Sequence, residues 1–173
     1  KRMSYEEPNE RWKVCAIFNP ESGHRQISYV NGICTFQGGS HVDHVLKQIN
    51  DGINKIISEK HKNLTIKNAH IKDNLNIFID SVIEDPSFSS QTKEYLTSKV
   101  SNFGSRCELS QDFIKKLEKS GIVDEIVNFA KLKAMQELKK SDGKKTKSLK
   151  GIEKLNDAHL AGTAKSPECM LML

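Results

Sequence analysis

Several protein classes can be set aside from what this sequence lacks. No apolar run approaches the ~20 residues that cross a bilayer as a helix, and the first residues, KRMSYEEPNE, lack the apolar core of a signal peptide. No membrane partner is expected. The four cysteines, Cys15, Cys34, Cys107 and Cys169, are scattered, with no CxxC pair and no histidine at metal-ligand spacing. In a chain long enough to build its own core this argues against a disulfide framework, and reduced thiols are expected. One tryptophan, Trp12, and few aromatics near the lysines leave little on which bases could stack, so any grip on nucleic acid should fall on its backbone. Neither a G-x-G-x-x-G loop nor a Walker loop occurs. No serine or cysteine sits beside a recognisable base, and no carboxylate pair stands in an apolar setting. A self-contained active site is not expected.

What is present suits one globular domain. The 173 residues are 36% hydrophobic and 28% charged with a net charge of +5, enough for a real core and a mild preference for acidic partners. RWKVCAIF alternates apolar and polar residues and predicts a half-buried strand. NPESGH turns the chain and QISYVNGICTF continues as a second strand, so residues 12–36 are expected to form a hairpin. Gly38 and Gly39 end it, and Ser40 with Asp43 predicts a capped helix start. Val42, Val45, Leu46, Ile49, Ile53, Ile56 and Ile57 then make one apolar helix face that must lie on the sheet. SEKHKNLTIKNAHIKD loses that stripe and is expected to be a solvated loop with one short helical turn. LNIFIDSVI returns to alternation and completes a βαβ unit. Ser110 predicts a cap for a helix carrying Phe113, Ile114 and Leu117 and ended by Gly121. A second helix, with Ile122, Ile126, Ala130, Ala134 and Leu138, is expected to pack on it. From Lys139 to Lys150 six lysines without an apolar period predict a mobile linker. The closing ECMLML reads as a strand of something further on, so a fragment is expected.

Few stretches carry chemistry. In FQGGSHVDH two glycines precede a helix N-terminus, where amides and the helix dipole attract anions, yet glycines there more often just make the turn. His41, Asp43 and His44 form an incomplete ligand set. Lys60 and Lys62, in the EKHKN loop, have the charge to neutralise backbone phosphates, and solvated lysines explain them equally well. SFSSQTKEYL puts one lysine at the tip of a polar stretch, which by itself reads as a plain surface loop.

Five segments taken together change that reading. ERWKVC, SYVNGICTFQGGSHVDHV, DPSFSSQTKEYL, FGSRCELS and KGIEKLNDAHLAG, in order over nearly the whole chain, resemble the transducer domain of eukaryotic-type (type IIA) DNA topoisomerase II. The resemblance implies an α+β fold: a small sheet with a left-handed βαβ crossover of the ribosomal-protein-like kind, helices on one face and a C-terminal helix pair. General rules favour a right-handed crossover, and the resemblance is followed here. It implies a transducer domain over residues 1–150, then a linker and the first strand of a TOPRIM region over 151–173. It also implies a homodimeric full-length enzyme acting on double-stranded DNA, nuclear in a eukaryote or in host cytoplasm or virion if viral.

By the same resemblance, Gln91, Thr92 and Lys93 reach into an adjacent ATPase domain, where the lysine meets the terminal phosphate of ATP. A lysine amine is a compact cation that pairs with phosphate oxygens, and a neighbouring glutamine adds a directional hydrogen bond. Such a contact lasts only while the γ-phosphate does. Lys60 and Lys62 match a loop that contacts DNA. Mg2+ belongs to the full-length enzyme, but no residue here is assigned to it, and Tyr5, Tyr29 and Tyr95 are not nucleophile candidates. A standalone basic nucleic-acid-binding module of similar fold is the alternative.

Overall fold

Residues Met3–Asn9 form β1, Trp12–Phe18 β2, Arg25–Val30 β3, Ile33–Cys34 β4 and Gly38–Gly39 β5; helix α1 runs Ser40–Lys60 and α2 Asn68–Asp73. Leu75–Ser81 is β6, Tyr95–Leu96 β7, Gln111–Leu117 α3 and Val123–Asp142 α4. This computed structural model describes residues 3–21, 23–61, 66–142 and 164. Through Ala130 the chain forms one unit, and a second begins at Lys131.

The sheet has the order β1-β2-β6-β3-β4. β2 runs antiparallel to β1 and β6, whereas β3 lies parallel to β6, with Arg25 opposite Asn76 and Val30 opposite Ser81. The alternation works as the period of two requires: Trp12, Val14, Ala16 and Phe18 are buried, as are Leu75, Ile77 and Ile79. On that face lies α1, whose Val42, Val45, Leu46, Ile49, Ile53 and Ile57 are buried, each contributing roughly 1.5–3 kcal/mol of transfer free energy. Ile56 is only partly buried at the edge of the stripe.

Residues 12–36 do not form the expected hairpin, because β6 enters between β2 and β3. Period-2 patterning reports which face is inward and is silent about which strand is the neighbour. Nor is QISYVNGICTF one strand. Asn31 and Gly32 take φ of 51° and 78° and fold it into the β3–β4 hairpin, an Asn-Gly turn whose two left-handed residues match the strand twist. β1, with its polar residues and Pro8, carried no apolar signal. It occupies a sheet edge, where a residue without an N–H is tolerated, and its register shifts between Glu6 and Asn9.

α1 is not capped by Ser40: the cap position is Gly39 and no side chain caps it. The helix also runs on through Lys60, into the segment expected to be loop, and the His61 N–H closes it on the Ile57 carbonyl at 2.7 Å. Ser58, Glu59 and Lys60 lack an apolar stripe but contain no helix breaker. Farther along, Ser110 caps α3 as expected, its Oγ accepting from the Phe113 N–H at 3.1 Å. Gly121, at φ 95° and outside helical geometry, ends the first helical stretch as expected, within the π-type turn over Glu118–Ile122 that joins it to α4. Ile122, Val123, Ile126 and Val127 beyond it are buried. The lysine run expected as linker begins inside α4, which reaches Asp142; its remainder, and the TOPRIM strand expected at the end, lie outside the described residues.

Candidate functional site

Tyr95–Leu96 anchors one side of the loop that carries Gln91, Thr92 and Lys93. The stem is hydrogen-bonded across: the Thr97 N–H donates to the Ser87 carbonyl at 2.8 Å, the Ser89 N–H to the Tyr95 carbonyl at 3.0 Å, and the Ser87 N–H to Ser98 Oγ at 2.7 Å. Phe88 bridges Leu96 in antiparallel fashion and packs against the core. At the tip the Lys93 N–H donates to the Ser90 carbonyl at 3.1 Å, which makes residues 90–93 a β-turn with Gln91 and Thr92 at its centre. The Ser90 and Thr92 hydroxyls lie 2.7 Å apart. Lys93 follows at φ 57°, in the left-handed region, at a cost of roughly 1–2 kcal/mol for a residue with a Cβ. The stretch that reads as flexible and polar is therefore a braced hairpin. All three candidate side chains are exposed, and among the described residues Lys93 has no ion-pair partner.

The root of this loop is fastened to the start of α1. β5 pairs in parallel with β7, Gly38 opposite Tyr95 and Gly39 opposite Leu96. Gly39 sits at φ 137°, and a Cβ there would lie 2.4 Å from the Leu96 carbonyl oxygen and 2.5 Å from its nitrogen. Only glycine permits this approach. Just before it, the Gln37 N–H donates to the Glu94 carbonyl at 3.0 Å and Gln37 Nε2 donates to Glu94 Oε2 at 2.7 Å. Sequence reasoning missed Gln37, Glu94 and this two-residue strand, because a pair of glycines carries no strand signal. Of the two glycines, Gly39 is spent on close packing, whereas a Cβ at Gly38 would meet its neighbours no closer than 3.5 Å.

Lys60 stands in the last turn of α1, where a cation complements the helix dipole. It is paired with Glu118 on the π-type turn, and the Glu118 hydrogen bond, then its charge, raises the Lys60 pKa. Lys62 lies outside the described residues. Its partnership with Lys60 in one loop is thus half replaced: Lys60 belongs to a helix.

The histidines near the start of α1 part company. His41 is buried with Nε2 3.3 Å from Thr35 Oγ1, while Nδ1 has no partner, and burial pushes its pKa down to about 4. His44 Nε2 lies instead 3.0 Å from the Cys107 carbonyl. Among the described residues no group of three or more His, Cys, Asp or Glu gathers for a metal. Cys15, Cys34 and Cys107 are free thiols, and burial, then the Glu6 charge, pushes Cys107 up to about 12, which makes it inert.

A two-layer α+β unit with a braced cationic loop defines the class of protein; comparison with known proteins supplies the family. The DNA gyrase B family model matches residues 2–146, and the chain belongs to that family. It is 45% identical over 168 residues to DNA topoisomerase 2 of Arabidopsis thaliana, covering 97% of this chain and 11% of that protein. To DNA topoisomerase 2 of Acanthamoeba polyphaga mimivirus it is 46% identical over 167 residues, covering 95% and 13%. The chain thus spans little more than a tenth of these relatives. Among solved structures, the ATPase region of Saccharomyces cerevisiae topoisomerase II aligns with a TM-score of 0.69 at 38% identity, covering 75% of this chain and 32% of that one. The ATPase and transducer domains of Balamuthia mandrillaris topoisomerase II align at 0.75 and 37%, covering 78% and 35%.

Proposed function

We propose that this chain is the transducer part of an ATP-dependent type II DNA topoisomerase, coupling ATP binding and hydrolysis in an adjoining ATPase domain to movement of the DNA gate and passage of a duplex. The observation that carries the reading is Lys93: an ammonium in no ion pair among the described residues, on a braced turn rooted through β5 and β7 in the N-terminus of α1. One ammonium and a turn are too little to hold adenine and ribose, but they suit a single phosphoryl group. ATP, when bound by the neighbouring domain, supplies the γ-phosphate charge. Lys93 senses it, Gln91 adds a donor and Thr92 shapes the turn. A force on the tip then reaches α1 and the sheet as one body, so the nucleotide state biases the angle between domains.

On this reading residues 1–150 are the transducer domain and 151–173 lead into a TOPRIM region. The β3–α1–β6 crossover takes the left-handed sense, and α3 with α4 forms the helix pair leading toward the DNA gate. Lys60 and Lys62 contact backbone phosphates of double-stranded DNA. Mg2+ is held elsewhere in a homodimeric enzyme, nuclear or viral according to its source. The test is Lys93→Ala in the full-length protein. ATP-driven strand passage is expected to fall roughly tenfold, the scale of a typical coupling between sites. Unchanged ATP hydrolysis and unchanged strand passage would remove the sensing role.

A further inference from the structure

A cation serves a phosphoryl group only while no closer anion takes it, and the residue after Lys93 is a glutamate. Adjacent Cα atoms are ~3.8 Å apart, so a loose Glu94 carboxylate has the reach to pair with the Lys93 amine. It does not do so: among the described residues Lys93 is in no ion pair, and Glu94 Oε2 accepts from Gln37 Nε2 at 2.7 Å. The main chain repeats the tie, with the Gln37 N–H on the Glu94 carbonyl at 3.0 Å. Two residues on, Gly39 against Leu96 at a distance no Cβ would permit holds the two segments together and so keeps Gln37 within reach of Glu94.

We infer that Gln37 is a positioning residue for the loop: it holds the Glu94 carboxylate away from Lys93 and so keeps the ammonium available to a terminal phosphoryl group. The inference rests on the nucleotide-sensing reading above. Gln37 is neutral, and a neutral donor suits this task. It satisfies a carboxylate oxygen without adding a second positive charge that would compete with Lys93 for the same anion. The turn at residues 90–93 and the left-handed Lys93 fix the backbone on the other side, so the Glu94 side chain is the one member left to be held.

The test uses four variants of the full-length protein: Gln37→Leu, Glu94→Gln, the double variant and Lys93→Ala. Gln37→Leu should lower ATP-driven strand passage roughly fivefold at low salt, and less at high salt, where the released carboxylate is screened. The double variant should recover to within about twofold of Glu94→Gln, since the tie is still broken but the competing charge is gone. A merely structural tie predicts the opposite, because it is cut in the double variant as surely as in the single one. Gln37 is exposed, and equal unfolding midpoints establish that all four variants are folded. If Lys93→Ala impairs passage while Gln37→Leu does not, or if Glu94→Gln fails to rescue Gln37→Leu, this inference is overturned and the sensing reading stands. If Lys93→Ala changes nothing, both fall.

Discussion

Lys93 and Lys60 are both exposed lysines where regular structure ends, and they differ in what surrounds them. Lys93 stands on a turn closed by its own N–H and, among the described residues, is in no ion pair. Lys60 ends a 21-residue helix and leans on Glu118. The first geometry spends backbone strain to keep a charge free, and the second spends nothing and keeps the charge occupied. A site that must register the arrival and departure of one phosphoryl group needs the first. A site that meets a polyanion with many equivalent phosphates works with the second, because exchanging Glu118 for a phosphate costs little in water.

The comparison breaks most readily at the root of the loop. Gly39→Ala places a Cβ inside the Leu96 backbone at a φ that side chains avoid. It should destabilise this chain by about 3 kcal/mol, read as a lower denaturant midpoint. Lys93→Gly, at the tip of the same hairpin, should do the reverse and raise stability by about 1 kcal/mol, since glycine takes the left-handed conformation without penalty. Equal effects of the two would mean that strain is not concentrated at the tip.

Next in size is a pH effect beneath the root. His41 is buried beside Thr35 with its pKa lowered from 6.5 to about 4. Between those values the unfolded chain binds a proton that the folded chain refuses. The stability held by the neutral ring is therefore complete above pH 6.5 and drains away as pH falls toward 4, by about 3 kcal/mol in total. Unfolding measured at pH 7.5 and 4.5 should differ by most of that amount, and His41→Asn should flatten the difference. A variant that keeps the full pH dependence would assign it to other groups.

How far the sequence announced these features depends on the kind of signal each used. The apolar stripe of α1, the alternation in β2 and β6 and the Ser110 cap were all legible, because each is a local pattern with a fixed period or offset. Strand neighbours were not, since β6 inserts between β2 and β3 without leaving a mark on either. The Asn31-Gly32 turn left a mark that a continuous apolar reading hides. Lys93 as the residue of interest came from family resemblance alone, because a lone lysine between small polar residues has no period. The brace from Gln37 to Glu94 spans 57 residues of sequence and depends on two glycines that look like a turn. Such contacts exist only once the chain has folded.

The smallest expected effect lies at the other lysine. Glu118→Gln removes the partner of Lys60 without touching the core, so unfolding should scarcely change, while Lys60 gains freedom to meet a phosphate. If Lys60 contacts DNA, affinity of the full-length protein for duplex DNA at low salt should rise roughly twofold. Lys60→Ala should lower the slope of log affinity against log salt by about 0.9, the contribution of one released counterion. Both shifts should be indifferent to DNA sequence, because a phosphate contact carries no base information. The paired experiment discriminates sharply: a freed lysine that binds no better, and a deleted one that leaves the salt slope intact, would make Lys60 a helix-end cation that serves to pair with Glu118. The contrast with Lys93 would then be one of structure against function rather than of two ways to meet a phosphate.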